Sequence, residues 1–245
     1  MRAWIVAAAA AGLLTGAAAP SGPFRVQEQP AVQATELEQL RVQLAERELL
    51  LKATQARLQQ YEDDVHYQEA LRLGVVEAVK ASELTARQQR RLAVAIVREA
   101  QRNGVDPLLV IALIRCESSF NAYAVSGVGA LGLMQVMPDT GSYLADKAGY
   151  QLGRPKNLFD AETNIELGTA YLADLIERFG SVDHALVAYN AGPATARKIL
   201  SQREMRRKFM SGYPAKVVRE FQKLKELQER ELSLRAQQEA ESTPG

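Results

Sequence analysis

The 245-residue sequence contains very little cysteine and histidine. Its single cysteine is Cys116, so no disulfide can form within the chain, and its two histidines, His66 and His184, are far apart in the sequence. Protein zinc sites are built mostly from clustered Cys and His ligands, which this sequence does not supply. The sequence therefore predicts no metal site of this kind.

An excess of charge of one sign is also missing. Lys and Arg number 30 and Asp and Glu number 29, which leaves a formal net charge of +1. Because nucleic-acid-binding domains show a basic excess or a basic patch, this balance gives no reason to expect a nucleic-acid partner. Hydrophobic residues make up 47% of the chain, which is enough for a substantial core.

The N-terminus begins with Arg2 and an unbroken apolar run over residues 4–14, followed by the small residues 16–19. This order is typical of a secretory signal peptide, which we predict over residues 1–19. Because Pro20 disfavours a cut directly after Ala19, a cut after Ala18 is preferable. The alternative is an uncleaved anchor, although the apolar segment is short for a bilayer span of about 20 residues. We expect an exported protein of the periplasm or cell envelope, held at a membrane if the segment stays uncleaved.

The next two segments differ sharply in pattern. Residues 20–34 contain three prolines and no apolar periodicity, and they predict a linker. Residues 35–68 predict a coiled-coil-like helix, because apolar side chains recur every seven residues at the a positions of five heptads. We expect residues 35–66 to mediate self-association or docking to a partner helix; the alternative is a single helix lying on the neighbouring domain. The a positions are Leu37, Leu44, Leu51, Leu58 and Val65, and the d positions are Leu40, Arg47, Thr54 and Tyr61.

Residues 82–220 predict a compact all-α domain. Helix-capping residues precede apolar helical segments, glycines follow them, and no stretch shows the two-residue alternation of a strand. The segment after Asp106 and Pro107 is apolar on all sides, as expected for a buried central helix. Residues 221–245 are highly charged and predict a solvated helix or a disordered tail.

One acid stands out at the end of the predicted buried helix. Between Pro107 and Pro138 only Arg115 and Glu117 are charged. Burial and the negative end of the helix dipole both disfavour an ionised carboxylate, and they would raise the pKa of Glu117 as a general acid requires. The alternative is a glutamate that pairs with Arg115 or caps a loop.

The loop that follows this acid contains Gly127, Gly129 and Gly132, which allow the backbone to approach a ligand closely. The alternative for these glycines is a tight connection between helices. Further along, the segment AYNAGP places Tyr189 and Asn190 at the end of a predicted helix, where a phenol and an amide can hydrogen-bond a sugar.

Three segments together resemble the catalytic domain of the soluble lytic transglycosylases. They are ESSFNAYAVSGVGALGLMQVMP, NIELGTAYL and AYNAG, and the resemblance covers about residues 90–220. It implies a lysozyme-like helical fold and cleavage of peptidoglycan glycan strands without a metal or organic cofactor.

The resemblance also implies roles for individual residues. Glu117 matches the single catalytic acid/base of the family, and Ser126 matches a serine near that acid that helps orient the substrate. Gln135 and Met137 match residues that line the glycan groove. Tyr189 matches a tyrosine that faces the reacting sugar, and Asn190 accompanies it. In the GYPAKVV segment, Pro214 stands where valine usually follows the tyrosine in this family. The implied substrate-binding residues are Ser126, Gln135, Met137, Tyr189, Asn190 and Tyr213.

A site with one carboxylate restricts the chemistry. Most glycosidases use two carboxylates, and the next acid along this chain after Glu117 is Asp139, in a plausible first helical turn. The resemblance implies that the substrate completes the mechanism, giving a 1,6-anhydro-N-acetylmuramic acid product without consuming water. The alternatives are a hydrolase like goose-type lysozyme, and a non-catalytic peptidoglycan-binding scaffold built around the heptads.

Overall fold

The described chain is helical throughout. The computed structural model describes residues 30–80, 82 and 84–242, so the predicted signal peptide and residues 20–29 of the predicted linker lie outside it. Within these residues there is no β-strand, and two isolated β-bridges join Val125 to Leu131 and Leu131 to Val136. The helices are α1 (Pro30–Arg72), α2 (Val75–Lys80), α3 (Ala86–Asn103), α4 (Pro107–Glu117), α5 (Pro138–Lys147), a 3₁₀ helix (Pro155–Phe159), α6 (Ala161–Phe179), α7 (Val182–Ala191), α8 (Pro193–Ser201), α9 (Arg203–Met210) and α10 (Tyr213–Ser242).

The described chain divides into two units, with the boundary between residues 55 and 56. Helix α1 begins at Pro30, so the predicted linker was wrong over residues 30–34. Proline is tolerated in the first turn of a helix, where its missing N–H has no intrahelical partner to lose. Among the described residues, no helix is sufficiently long and apolar to cross a membrane.

The heptad side chains of α1 are exposed. Every residue from 35 to 62 is exposed to solvent, and the five a-position side chains, from Leu37 to Val65, are 50–59% exposed. The predicted partner for this apolar stripe stays a prediction.

The core is built around α4. Its seven residues from Leu108 to Ile114 are all at most 3% exposed, as the all-round apolar pattern predicted. The capping predictions are also confirmed, because Asp106 accepts a hydrogen bond from the N–H of Leu108 at 2.8 Å and Thr85 caps α3. The fold is thus the predicted all-α domain, with α4 at its centre and Glu117 as the last residue of that helix.

The domain begins earlier than the predicted boundary at residue 82. Ala70 at the end of α1 and Val75 and Val79 in α2 are fully buried in the same core as α4. The carbonyl of Ala78 also accepts a hydrogen bond from the guanidinium of Arg115 at 2.8 Å. The short α2 segment carries few residues, which is why its contribution to the core was missed.

Helix α10 runs from Tyr213 to Ser242 and therefore continues across the predicted domain boundary at residue 221. The expectation of a wholly solvated tail was wrong for its first half. Leu224 is 3% exposed, the ammonium of Lys225 lies 3.4 Å from the carboxylate of Asp106, and the amide of Gln228 donates to the carbonyl of Leu73 at 2.7 Å. Sparse apolar residues at helical spacing are enough to fix this face of a charged helix.

Candidate active site

Glu117 ends α4 at a sharp reversal of the chain. The two residues after Ser118 have positive φ, 51° at Ser119 and 67° at Phe120, although neither is glycine. Such conformations cost free energy and persist where the surrounding packing fixes them. Phe120 is 6% exposed and belongs to the core, so its side chain fixes the reversal. The carboxylate of Glu117 is consequently held at the end of a rigid helix.

The hydroxyl of Tyr213 donates a hydrogen bond to Oε1 of Glu117. Tyr213 is the first residue of α10, and Pro214 occupies the first helical turn, where proline is tolerated. The departure from the family pattern at residue 214 therefore leaves the tyrosine in contact with the acid. Burial, followed by the charge of Glu117, raises the pKa of Tyr213, so its hydroxyl remains a proton donor.

The electrostatics of Glu117 combine opposing effects. Burial is the largest effect and raises the pKa of Glu117, whereas the hydrogen bond from Tyr213 and the positive charge of Lys216 lower it. The net shift is upward, as expected for a general acid. Lys216 was not singled out from the sequence; its position one helical turn after Tyr213 is the signal that could have found it.

Glu117 does not form an ion pair with Arg115, which was the alternative role considered from the sequence. The guanidinium of Arg115 instead pairs with the carboxylate of Glu220 at 2.6 Å and with the carbonyl of Ala78. The carboxylate of Glu220 is therefore already paired with Arg115. The Glu117 carboxylate keeps Tyr213 as its hydrogen-bonding neighbour.

Ser126 and Gln135 shape the loop that follows the acid. The Ser126 hydroxyl accepts a hydrogen bond from the N–H of Ala130 at 2.9 Å and so closes the turn containing Gly127 and Gly129. The Gln135 side-chain amide donates to the carbonyls of Ala124 and Gly132, at 3.2 and 2.9 Å. Both predicted binding residues thus also hold the loop together.

The loop docks on α6 through a buried asparagine that the sequence reasoning did not assign. Asn164 is fully buried, and its amide oxygen accepts from the N–H of Met134 at 2.7 Å. Its amide nitrogen donates to the carbonyls of Leu131 and Leu158, at 2.9 and 2.8 Å. One side chain therefore satisfies three buried backbone groups, which explains the asparagine in NIELG.

Two glycines permit this close approach. A Cβ at Gly132 would lie 2.4 Å from the side chain of Asn164, and a Cβ at Gly168 would lie 2.6 Å from the sulfur of Met134. Gly132 is therefore explained by the close packing of the loop against α6. At Gly127 and Gly129 a Cβ would meet nothing within 4 Å, so those positions border open space.

The hydroxyl of Tyr189 in α7 donates to the carbonyl of Met134 at 2.7 Å. Its ring lies 5.4 Å from that of Tyr171, a residue that the sequence reasoning did not single out. Burial, and next the charge of Glu117, raises the pKa of Tyr189 well above its ordinary value, which indicates that phenol and carboxylate are near neighbours. The predicted binding residues Asn190 and Met137 are both exposed, Met137 by 40% at the start of α5.

The structure brings Glu117, Tyr189 and Tyr213 together and places four other acids of the domain, Asp139, Asp160, Glu162 and Glu166, in other settings. Asp139 is exposed in the first turn of α5, as predicted, and Asp160 caps α6. Glu162 pairs with Arg91 at 2.6 Å, and Glu166 is coupled electrostatically to Tyr150 and Glu99. No Asp or Glu among the described residues is one of the groups that shift the pKa of Glu117.

Comparison with known proteins identifies this part of the chain. Residues 95–210 match the family described as Transglycosylase SLT domain. Two similar proteins are named membrane-bound lytic murein transglycosylase C. The one from Serratia proteamaculans is 39% identical over 117 residues, covering 43% of this chain and 33% of that protein. The one from Edwardsiella ictaluri is 43% identical over 114 residues, covering 42% and 32%. The match thus spans about a third of the length of these relatives.

The fold also matches a solved structure. The 70 kDa soluble lytic transglycosylase Slt70 of Escherichia coli superposes with a TM-score of 0.50 at 24% identity, over 67% of this chain and 29% of that chain. This likeness supports the lysozyme-like helical fold. Residues 95–210, the segment that holds Glu117 and Tyr189, are thus similar in sequence to the transglycosylase SLT domain.

Proposed function

We propose that this protein is a lytic transglycosylase of peptidoglycan. It cleaves the β-1,4 bond between N-acetylmuramic acid and N-acetylglucosamine without hydrolysis, and Glu117 is its sole general acid/base. The observation that carries the proposal is the setting of Glu117: it is the half-buried last residue of α4, it accepts a hydrogen bond from the hydroxyl of Tyr213, and burial raises its pKa. The match to the SLT domain and the names of the relatives support the same substrate class.

In the proposed reaction Glu117 acts twice. It first protonates the glycosidic oxygen, so that the bond to the anomeric carbon of N-acetylmuramic acid breaks. The acetamido carbonyl of that sugar stabilises the positive charge that develops. Glu117, now ionised, takes the proton of the sugar's own 6-hydroxyl as that oxygen attacks the anomeric carbon. The product is the 1,6-anhydro sugar, and the acid is regenerated without water.

The raised pKa suits the first step and the neighbouring groups suit the second. Burial raises the pKa of Glu117 and so favours the protonated form that donates the proton. After proton transfer the carboxylate is ionised, and the Tyr213 hydroxyl and the Lys216 ammonium both favour that form. The proposed glycan-binding residues are Ser126, Gln135, Met137, Tyr189, Asn190 and Tyr213.

We also propose that the protein acts in the periplasm or cell envelope. The apolar N-terminal segment supports export, and the relatives with this domain are named membrane-bound murein transglycosylases. Membrane attachment of this chain would depend on retention of its N-terminal segment.

Digestion of purified peptidoglycan in ¹⁸O-labelled water, followed by mass spectrometry, tests the reaction. The proposal expects products that carry no label and lack one water relative to those of a hydrolytic muramidase run in parallel. Label on the new anomeric carbon would instead favour the goose-type hydrolase, with one of Asp139, Asp160, Glu162 or Glu166 reaching the substrate. The absence of any cleavage would favour the non-catalytic scaffold.

A further inference from the structure

The heptad stripe of α1 is an exposed apolar feature of the described chain. The a-position side chains Leu37, Leu44, Leu51 and Leu58 are 52–59% exposed, and Val65 is 50% exposed. The d-position side chains Leu40 and Tyr61 are 56% and 69% exposed. Scattered apolar residues on a surface are ordinary, but a continuous stripe with a seven-residue repeat predicts a partner helix.

The last turns of α1 show which face remains available. Within the unit that starts at residue 56, Ala70 of α1 is fully buried and Tyr67 packs against the core, and the guanidinium of Arg90 lies 3.9 Å from the centre of the Tyr67 ring. At 100° per residue, this packed face is on the opposite side of the helix from the stripe that contains Leu58, Tyr61 and Val65. The domain thus occupies one side of these turns and leaves the heptad side to solvent.

We propose that the occupant of this stripe is a second copy of the same chain, in a parallel, in-register, two-stranded coiled coil over residues 36–65. A parallel arrangement places each a residue against its own copy, which gives Leu–Leu layers at four successive heptads and a Val–Val layer at residue 65. An antiparallel arrangement would place a against d and set Leu51 against the polar Arg47 or Thr54.

The mixed d positions favour two strands over three or four. Arg47 and Thr54 are polar, and a larger bundle would enclose them more completely. In a two-stranded coil the long side chain of Arg47 can extend its guanidinium to solvent. The free-energy cost of burying these two polar side chains is therefore lower in a dimer than in a trimer or tetramer.

The charges that flank the stripe are complementary for this arrangement. In a parallel coil a g residue faces the e residue five positions later in the partner. Arg57 at g then faces Glu62 at e of the other copy, and Glu36 at g faces Arg41 at e. Each dimer contains both pairs twice. Asp64 at g would face Glu69, but each of those carboxylates already has a cation 2.6 Å away in its own chain, Arg90 and Arg72.

Charge reversal at residues 57 and 62 tests the proposal in the full-length chain. Residues five apart on one helix are not neighbours, and no Asp, Glu, Lys or Arg stands at the positions three or four residues away from either one, so reversals disturb little within the helix. Those positions are Ala53, Thr54, Gln60 and Tyr61 around Arg57, and Leu58, Gln59, Val65 and His66 around Glu62. Glu46→Arg is the matched control, because it reverses a charge at a c position outside the seam.

Sedimentation equilibrium over a dilution series supplies the readout. We expect the unmodified chain to be a dimer. Arg57→Glu and Glu62→Arg should each raise the dimer dissociation constant, by about three- to tenfold for two exposed ion pairs turned repulsive. The double variant Arg57→Glu/Glu62→Arg should restore it, and Glu46→Arg should leave it unchanged.

Mixing the two single variants is the most specific test of the pairing across the seam. Each variant repels its own copy. In a mixed pair, the glutamate introduced at position 57 of one copy faces the arginine introduced at position 62 of the other, and the unmodified Arg57 and Glu62 face each other across the seam. Heterodimers should therefore form preferentially.

Four results would overturn the proposal. They are a monomer at every concentration, a trimer, a double variant no tighter than the single variants, and equal weakening by Glu46→Arg. In the last case association would follow net charge and not the pairing across the seam.

Discussion

The hydroxyl of Tyr213 and the carboxylate of Glu117 are joined by a hydrogen bond although 96 positions separate them in the chain. Helix α4 delivers the acid and the first turn of α10 delivers the phenol. The bond favours the ionised form of Glu117, in opposition to burial. Tyr213 thereby lowers the pKa of the carboxyl that the proposed reaction needs in both protonation states.

Replacing Tyr213 by phenylalanine should raise the pKa of Glu117 further, because the hydrogen bond that lowers it is removed and burial remains. The alkaline limb of kcat/KM, which reports the essential acid of the free enzyme, should then move to higher pH. Tyr189→Phe is the control, since its hydroxyl bonds to the carbonyl of Met134 and not to the acid. If the alkaline limb of Tyr213→Phe stays at the same pH or moves to lower pH, this role of Tyr213 is contradicted.

Glu117→Gln should abolish lytic activity while the fold persists. The amide has nearly the same shape but can neither deliver nor accept the proton, and general acid–base catalysis is typically worth 10²–10⁴-fold. We expect a loss of at least about a hundredfold in the rate of muropeptide release, with an unchanged circular dichroism spectrum. Retention of more than about a hundredth of the rate would remove Glu117 from the acid/base role.

The same substitution predicts a pH dependence of stability. The folded-state pKa of Glu117 is raised, so the folded state binds more protons than the unfolded state between the two pKa values. The unmodified protein should therefore lose stability relative to Glu117→Gln as pH rises from the unfolded pKa, about 4.3, through the folded pKa. Urea unfolding of both proteins across that range measures the difference. A gain in stability of the unmodified protein relative to Glu117→Gln as pH rises would mean that Tyr213 and Lys216 outweigh burial.

The sequence predicted the features that depend on short-range chemistry. Thr85 and Asp106 cap their helices as expected, and the apolar run of α4 is the buried helix that ends at Glu117. It did not predict features created by distant segments meeting. Asn164 and Met134, which are joined by a hydrogen bond, are 30 positions apart in the sequence. The helical pattern around Asn164 does not indicate which backbone groups its side chain will bind. Likewise, the few apolar residues of α10 gave too weak a periodicity to predict its packing.

Asn164→Ala should weaken both the fold and the site. It would leave the N–H of Met134 and the carbonyls of Leu131 and Leu158 unpaired and buried, and each such group costs about 1–3 kcal/mol. We expect a loss of roughly 3 kcal/mol or more in the free energy of unfolding. We also expect weaker glycan binding, since Gln135 and Met137 follow in the same loop. Asn157→Ala is the control, because it removes one bond, to the carbonyl of Leu152, and should cost about 1 kcal/mol. Equal losses in the two variants would contradict the docking role of Asn164.

Shortening the chain to begin at residue 82 should destabilise the domain, although the sequence pattern had placed the domain boundary there. The cut removes Val75 and Val79, which are fully buried, and each buried valine contributes roughly 1.5–3 kcal/mol. It also removes the carbonyl of Ala78, which holds the guanidinium of Arg115 two residues before the acid. A chain that begins at residue 56 retains all of these contacts and is the matched comparison. Because domains of this size are stable by only about 5–15 kcal/mol, the shorter chain should unfold at clearly lower urea concentration and release muropeptides more slowly. Coincident unfolding curves for the two chains would show that α2 is dispensable and that the catalytic unit begins at α3.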